Sequence, residues 1–384
     1  MSIDYLDCNA TTPVDPRVQV EMLPYFGVEF GNPASPHEYG RHAKKAIQTA
    51  RGQVGAVVAA RPHEVYFTSG ATESNNLTLL GLAEHGRRSG KRHVVSTQIE
   101  HAAVLEPLAE LRRQGFTTTL VAPSAGGRVD ARSIINAVRP DTLLVSVMHV
   151  NNETGVVQPL TEIADGLADR DLFLHVDAAQ GFGKQIAPLR HPRIDLISAT
   201  AHKIYGPKGV GVLIARRRGS EPPPLRPLHF GGGQELGLRP GTLPVPLIAG
   251  FGKAAELALA ECDERAERCR QIRQRLLAAL GCLSPQIHGD PRFTLPHVVN
   301  LSLPGVHADD AIEALAAVAA ISNGSACTSV CATASHVLTA MGVDPVAVDG
   351  ALRFSWYHDS KLENLERMVA ILNQLQSGAV GHNR

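Results

Sequence analysis

The run Ala201-His202-Lys203-Ile204-Tyr205-Gly206-Pro207-Lys208-Gly209, taken with His175-Val176-Asp177-Ala178-Ala179-Gln180 upstream, decides the fold. Each follows a short aliphatic and β-branched stretch, residues 194–199 and 171–175, that reads as a strand. In an open α/β sheet, residues just past the carboxyl ends of strands line the ligand crevice. A carboxylate and a lysine delivered there from two strands suit pyridoxal 5'-phosphate (PLP). The lysine forms a Schiff base with the aldehyde, and the carboxylate keeps the pyridine nitrogen protonated so that the ring withdraws electrons. Singly, Asp177 would read as a helix cap and Lys203 as a solvated loop lysine. Together, in these settings, they read as a cofactor site.

Outward from these stretches, strands and helices alternate. Strands are predicted at 64–68, 93–97, 118–121, 143–149, 172–176 and 196–199, with amphipathic helices at 102–114 and 130–138. The alternation predicts an α/β fold with a mostly parallel, doubly wound sheet. Residues 208–216 predict a final antiparallel strand, and Glu221-Pro222-Pro223-Pro224 through Pro227 breaks the pattern. A long helix from 247 to 280 then crosses to a second, smaller α+β domain. A strand at 298–303, a helix at 308–319, a loop at 322–328 and a terminal helix at 362–376 complete it. A chain of 384 residues exceeds one ordinary core. The expected division is 15–255 for the large cofactor-binding domain, and 1–14 plus 256–384 for the small one.

Composition narrows the function. Lys+Arg 37 balances Asp+Glu 37, so no overall field draws the chain to nucleic acid or to an anionic membrane. No direct nucleic-acid binding is expected. Met1-Ser2-Ile3-Asp4-Tyr5 lacks the basic and then apolar pattern of a secretory signal. No run approaches the ~18 apolar residues of a membrane span. Cysteines at 8, 262, 269, 282, 327 and 331 show no zinc-type Cys-x-x-Cys spacing, so neither a metal site nor an oxidising compartment is expected. These features point to a cytoplasmic globular protein.

Further strand ends offer suitable groups. Ser69-Gly70-Ala71-Thr72-Glu73-Ser74-Asn75-Asn76 follows a strand and opens a helix, where small residues let backbone N–H groups approach a phosphate. His101, in Gln98-Ile99-Glu100-His101, can stack on a pyridine ring and move protons, or simply begin a helix. Asn152, in Val150-Asn151-Asn152-Glu153-Thr154-Gly155, can bond the cofactor near its phenolic oxygen, or only stabilise its own turn. Five crevice loops, each with a suitable group, carry more weight than any one of them.

With these segments on the page, and with residues 231–244 and Ser325-Ala326-Cys327-Thr328-Ser329, the chain resembles the cysteine desulfurases. These are PLP enzymes of the class V aminotransferase group that remove sulfur from L-cysteine. The resemblance runs from Tyr5-Leu6-Asp7 to Arg353-Phe354-Ser355. It implies the aspartate aminotransferase-like fold of PLP-dependent transferases, a small domain built from both chain ends, and a homodimer with composite sites. It also implies a sulfur-acceptor protein as partner. The Ser-Ala-Cys-Thr-Ser form is similar to the branch serving iron–sulfur clusters, nitrogenase maturation and thiolation of nucleic acids, DNA phosphorothioation included. It is unlike the Arg-x-Gly-His-x-Cys form of the other branch.

Residue by residue, the resemblance implies that Lys203 holds the cofactor and shuttles the Cα proton. Asp177 pairs with the pyridinium, Gln180 bonds the phenolic oxygen with Asn152 nearby, and His101 stacks and acts as acid and base. Ala71, Thr72, Thr200 and His202 hold the phosphate, with Thr242 arriving from a second subunit. Arg353 forks the substrate carboxylate, with Asn32 and Asn152 beside it. Cys327 attacks the sulfur of bound cysteine, leaving alanine and a Cys327 persulfide. A thiol of pKa about 8.5 needs a local base, and His101 is the candidate. The alternatives are a packed cysteine and a related PLP-dependent lyase or transaminase without an obligatory persulfide. Val330 and Cys331 stand where many relatives carry Gly and Ser, Tyr357-His358 replaces Gly-Arg, and Pro240 replaces a common Ser.

Overall fold

The computed structural model describes residues 3–324 and 334–382; Ser325, Ala326, Cys327, Thr328, Ser329, Val330 and Cys331 lie outside the described residues. A seven-stranded sheet dominates: β1 (Val65–Thr68), β2 (His93–Thr97), β3 (Thr117–Val121), β4 (Thr142–Met148), β5 (Phe173–Asp177), β6 (Leu196–Thr200) and β7 (Gly211–Ala215). Its spatial order is β1-β7-β6-β5-β4-β2-β3. Strands β2 to β6 pair in parallel, and β7 runs antiparallel to both β6 and β1. Buried end to end, β2, β4, β6 and β7 are what a sheet covered on both faces by helices demands of its sequence. The bounds match the sequence reading closely. One difference is the start of β7: Gly209 turns with φ 85, so residues 208–210 lie outside the strand.

The order reverses between β2 and β4. From β2 the chain moves outward to the edge strand β3, and from β4 it moves the other way through β5 and β6. A crevice opens outside the carboxyl ends at such a reversal. The loops carrying His101, Asn152, Asp177 and Lys203 all leave from that end.

The helix Val245–Leu280 spans 36 residues and joins two cores. Phe251, Ala254 and Ala255 pack with Ile47 and Val54 under the large sheet. Further along, Cys269, Ile272, Leu276 and Leu280 pack with Leu6, Leu301, Phe354 and Leu372. Proline in its first turn is tolerated, because the N–H it lacks would have no helical partner there. The second core lies against a three-stranded antiparallel sheet: β9 (Val298–Ser302) between β8 (Gln286–His288) and β10 (Ala351–Ser355). Strands β8 and β10 escape the sequence reading, one for its three residues and the other for the buried Arg353 that interrupts its apolar pattern. The helix expected at 308–319 ends at Leu315, because Ala319–Ala320 pairs in parallel with Asp4–Tyr5. That pairing brings the N-terminal segment beside β10, where Cys8 N and Asn9 N donate to Ser355 O and Oγ. Among the described residues no helix is long and apolar enough to cross a membrane.

Candidate active site

A cavity of about 460 Å³ opens at the carboxyl ends of β2, β4, β5 and β6. His101, Asn152, Asp177, Gln180, Lys203 and Arg353 line it, as do Ala71, Thr72, Thr200 and His202. Asp177 ends β5, buried, with Oδ2 accepting from Asn75 Nδ2 at 2.7 Å and Oδ1 from Ala179 N at 2.9 Å. Two N–H donors aim a carboxylate that is ready to meet a cationic ring nitrogen. Lys203 follows β6 and is buried; its Nζ donates to Asn9 O and, at 2.8 Å, to Ala10 O. Asn9 O also accepts from Gln180 Nε2 at 2.9 Å, and Asn9 Nδ2 donates to Asn152 O at 3.0 Å. The N-terminal strap therefore lies across three of the expected site residues.

His101 caps the helix Ala102–Arg113, its Nδ1 accepting from Ala103 N at 3.1 Å. Burial holds its pKa below the ordinary value, with the nearby Lys203 pushing the same way and Asp177 opposing. The neutral ring carries its proton on Nε2, since Nδ1 is engaged as an acceptor. Behind it, burial pushes the Glu100 carboxyl up to about 8 while Thr97 Oγ1 and Met148 N donate to it. Burial likewise pushes His202 down to about 4, so its ring is neutral.

No side chain caps the helix Ala71–Gly81, so its first N–H groups stay available for an anion at the dipole's positive end. The approach is close: a Cβ on Gly211 would lie 2.4 Å from Gly70 Cα, so β7 needs glycine beneath this turn. Arg353 sits on β10 at 1% exposure. Its Nη2 donates to Asp7 Oδ1 at 2.7 Å and its Nη1 to Asn152 O at 3.1 Å. Among the described residues, five buried polar atoms of this site's side chains have no partner: Asn9 Oδ1, Asn75 Oδ1, Glu100 Oε2, Gln180 Oε1 and Arg353 Nε. Buried polar groups are rarely left so. An open helix N-terminus, an oriented carboxylate, a buried lysine and unmet polar atoms together fit PLP.

The class-V aminotransferase family matches residues 4–368. The chain belongs to that family. It is 44% identical to the cysteine desulfurase of Rattus norvegicus over 355 residues, 91% of this chain and 77% of that one. A NifS-like protein of known structure superposes with a TM-score of 0.90 at 35% identity, covering 98% of this chain and 100% of that one. DndA from Streptomyces lividans gives 0.81 at 48% identity, covering 91% and 98%. As a class-V aminotransferase the chain is a PLP-dependent enzyme, and the cavity around Lys203 is where that cofactor fits.

Two residues expected in this class-V site stand apart from it. Asn32 and Thr242 line a separate cavity of about 510 Å³, together with Arg51 and Glu235. Conversely, Asn9, Asn75 and Asp7 belong to the site's framework but went unnoticed in the sequence. Asn75 was within reach, since it lies one helical turn beyond Ala71 in the quoted phosphate turn and so shares its face. Asn9 and Asp7 sit in a segment whose tie to Lys203 and Arg353 is purely tertiary.

Proposed function

We propose that this protein is a cysteine desulfurase that converts L-cysteine to L-alanine and carries the sulfur as a persulfide on Cys327. The convergence of Lys203, Asp177, His101 and Arg353 on one cavity, in a class-V chain 44% identical to a named cysteine desulfurase, carries this reading. PLP, when bound, supplies an electrophilic carbon and an electron-withdrawing ring that stabilises negative charge beside it. Asp177, held by Asn75 and Ala179, keeps the ring nitrogen protonated. Lys203 would be the covalent anchor for the cofactor and the base that moves the substrate's Cα proton. Gln180 and Asn152 face the phenolic oxygen, while Ala71, Thr72, Thr200 and His202 hold the phosphate. Arg353 and Asn152 would hold the substrate carboxylate; Asn32, expected beside them, lines another cavity of the same chain. With Nδ1 engaged by Ala103, His101 can donate from Nε2; accepting a thiol proton requires that hydrogen bond to break.

A second copy completes the site. Thr242 and Asn32 line a cavity other than Lys203's within one chain, and apolar side chains in the neighbouring segments (Phe26, Val28, Phe30, Phe230 and Leu236) are exposed. Apolar surface of this kind is what subunit association covers. The homodimer then brings Thr242 to the partner's phosphate site. Each chain is taken as a large domain, 15–255, and a small one, 1–14 plus 256–384. The persulfide passes, in the cytoplasm, to an acceptor protein of iron–sulfur assembly or of tRNA or DNA thio-modification such as phosphorothioation. This chain itself makes no contact with nucleic acid.

The test is mass analysis of the Cys327 peptide after the purified protein meets L-cysteine, with alanine assayed in the same tube. Added sulfur on Cys327 together with alanine is expected, and Cys327→Ser should keep the cofactor but lose sulfur transfer. Alanine without sulfur on Cys327 would leave a PLP lyase.

A further inference from the structure

We propose that Glu153 is a positioning residue for sulfur transfer: with Ser335 and Gly324 it mounts both sides of the Cys327 segment on the turn that carries Asn152. This rests on Cys327 being the sulfur nucleophile.

The turn is stiff. Asn151 Oδ1 accepts from Glu153 N and from Thr154 N, each at 2.9 Å, while Asn151 Nδ2 donates to Ile99 O at 3.1 Å. Glu153, 2% exposed and not among the residues lining the cofactor cavity, accepts at Oε2 from Ser335 Oγ at 2.5 Å. Ser335 Oγ in turn accepts from Leu338 N at 3.0 Å, capping the helix His336–Ala340. A hydroxyl has one proton, and here it is committed to Glu153. The next residue, His336, bonds Glu100 O through Nε2 at 3.0 Å, so this flank is tied down beside His101.

The other flank meets the same groups. Gly324 takes φ 81, and a Cβ there would lie 3.6 Å from Glu153 Oε2 and 3.4 Å from Asn300 Nδ2. Asn300 Nδ2 donates to Glu153 O at 3.4 Å, and Arg353 Nη1 donates to Gly324 O at 3.4 Å. Cys327 is three residues beyond Gly324. Three residues span at most ~11 Å even when extended. The guanidinium proposed to bind the substrate carboxylate thus also holds Gly324, the last described residue before the Cys327 segment, and Ser335 anchors the far flank.

Burial alone raises the cost of an ionised carboxyl here, opposed by the Ser335 hydrogen bond and by the nearby His336 and Arg353. An apolar side chain would fill the space without that cost. A polar network whose members satisfy one another earns its place by specifying one arrangement.

The experiment compares wild type, Glu153→Ala and Glu153→Gln as PLP-loaded enzymes in single turnover with L-cysteine. It follows the cofactor's absorbance change and the rate of sulfur appearing on Cys327. For Glu153→Ala we expect full cofactor occupancy, an unchanged rate of the first absorbance change, and sulfur loading slowed about tenfold to a hundredfold, as for a misplaced reacting group. Glu153→Gln, whose amide oxygen still accepts from Ser335, should restore most of the rate. Equal loading rates in all three, or equal slowing of absorbance change and loading, would overturn the proposal. Should Glu153→Ala fail to fold, Ser335→Ala in the same assay decides, with slowed loading in support and an unchanged rate against. Wild type that loads no sulfur on Cys327 would instead remove the desulfurase reading itself.

Discussion

The cavity around Lys203 and the cavity around Thr242 are built in opposite ways. The first is assembled from strand ends: Asp177, Lys203 and the turn of Asn152 are each held by named hydrogen bonds within one chain. The second is walled by loops and helix faces whose outer side chains stay open, Phe230 at 88% and Leu236 at 75% exposure. Even so, its loop is anchored from behind. Arg51 makes a two-pronged ion pair with Glu235 at 2.6 and 2.8 Å, and Phe67 N donates to the same carboxylate at 2.8 Å. That anchor holds Glu235 and Leu236 at φ 48 and 57, a region that bulky residues rarely occupy. Strand ends thus gather the groups around Lys203 within one chain, whereas the loop is fixed in shape with its apolar side chains exposed.

The contrast breaks most sharply at Lys203. Lys203→Ala should abolish the bound cofactor's absorbance and all alanine release, with the far-ultraviolet circular dichroism unchanged; residual turnover would mean that another group anchors the cofactor. Next comes the loop's anchor. Arg51→Met leaves Glu235 buried without its partner, a loss of about 3–5 kcal/mol by analogy with broken buried pairs. Chemical denaturation would register it, and a change within error would show the loop to be held by other contacts.

Thr242→Ala should be milder, weakening cofactor retention by about 1.5–3 kcal/mol, the worth of a hydrogen bond to a charged group such as phosphate. Mixed dimers of Thr242→Ala with Lys203→Ala sharpen the comparison. If Thr242 serves the partner, one site per mixed dimer is whole and retains cofactor as wild type does. Retention no better than in Thr242→Ala alone would place the residue in its own chain's site.

A separate effect concerns pH. Burial pushes His149 and His175 down to about 3, below the ordinary 6.5, so their neutral forms favour the fold. Their contribution is present above pH 6.5 and is lost as pH falls toward 3. Glu100 is the reverse case: with its pKa raised from 4.5 to about 8, the unfolded chain ionises first, so stability falls as pH rises through that window. Melting temperature against pH should therefore decline on both sides, and Glu100→Gln should flatten only the alkaline limb. An unchanged limb in that variant would mean that Glu100 is already ionised in the fold.

Much of this was legible before any coordinates. The inner strands of the large sheet announce themselves as short, largely apolar runs between turn residues, because a doubly covered sheet needs them apolar on both faces; the edge strand β3, Thr-Thr-Thr-Leu-Val and partly exposed, reads from its β-branched residues instead. The residues past their carboxyl ends could be nominated because topology sends such loops to one crevice. The small sheet was half-hidden. Arg353 counts as polar in any pattern yet is buried in β10, where Asp7 and two carbonyls accept from its two Nη groups. Tyr357 and His358, where the resemblance leads one to expect Gly-Arg, pack their rings against each other and against Tyr205, two residues past Lys203, with His358 4.9 Å from the Tyr205 ring. No spacing rule could have shown that contact.

The sequence by itself determined the class of fold and the cofactor and nominated the side chains around it, because period, turn chemistry and strand-end motifs are local properties of the chain. Only the tertiary structure decided how those side chains are aimed. Lys203 is held by carbonyls of Asn9 and Ala10, Asp177 by Asn75, and the flanks of the Cys327 segment by Glu153 and Arg353. A backbone carbonyl carries no signature in sequence, and a hydrogen bond between residues nearly two hundred positions apart depends on packing that no local pattern encodes.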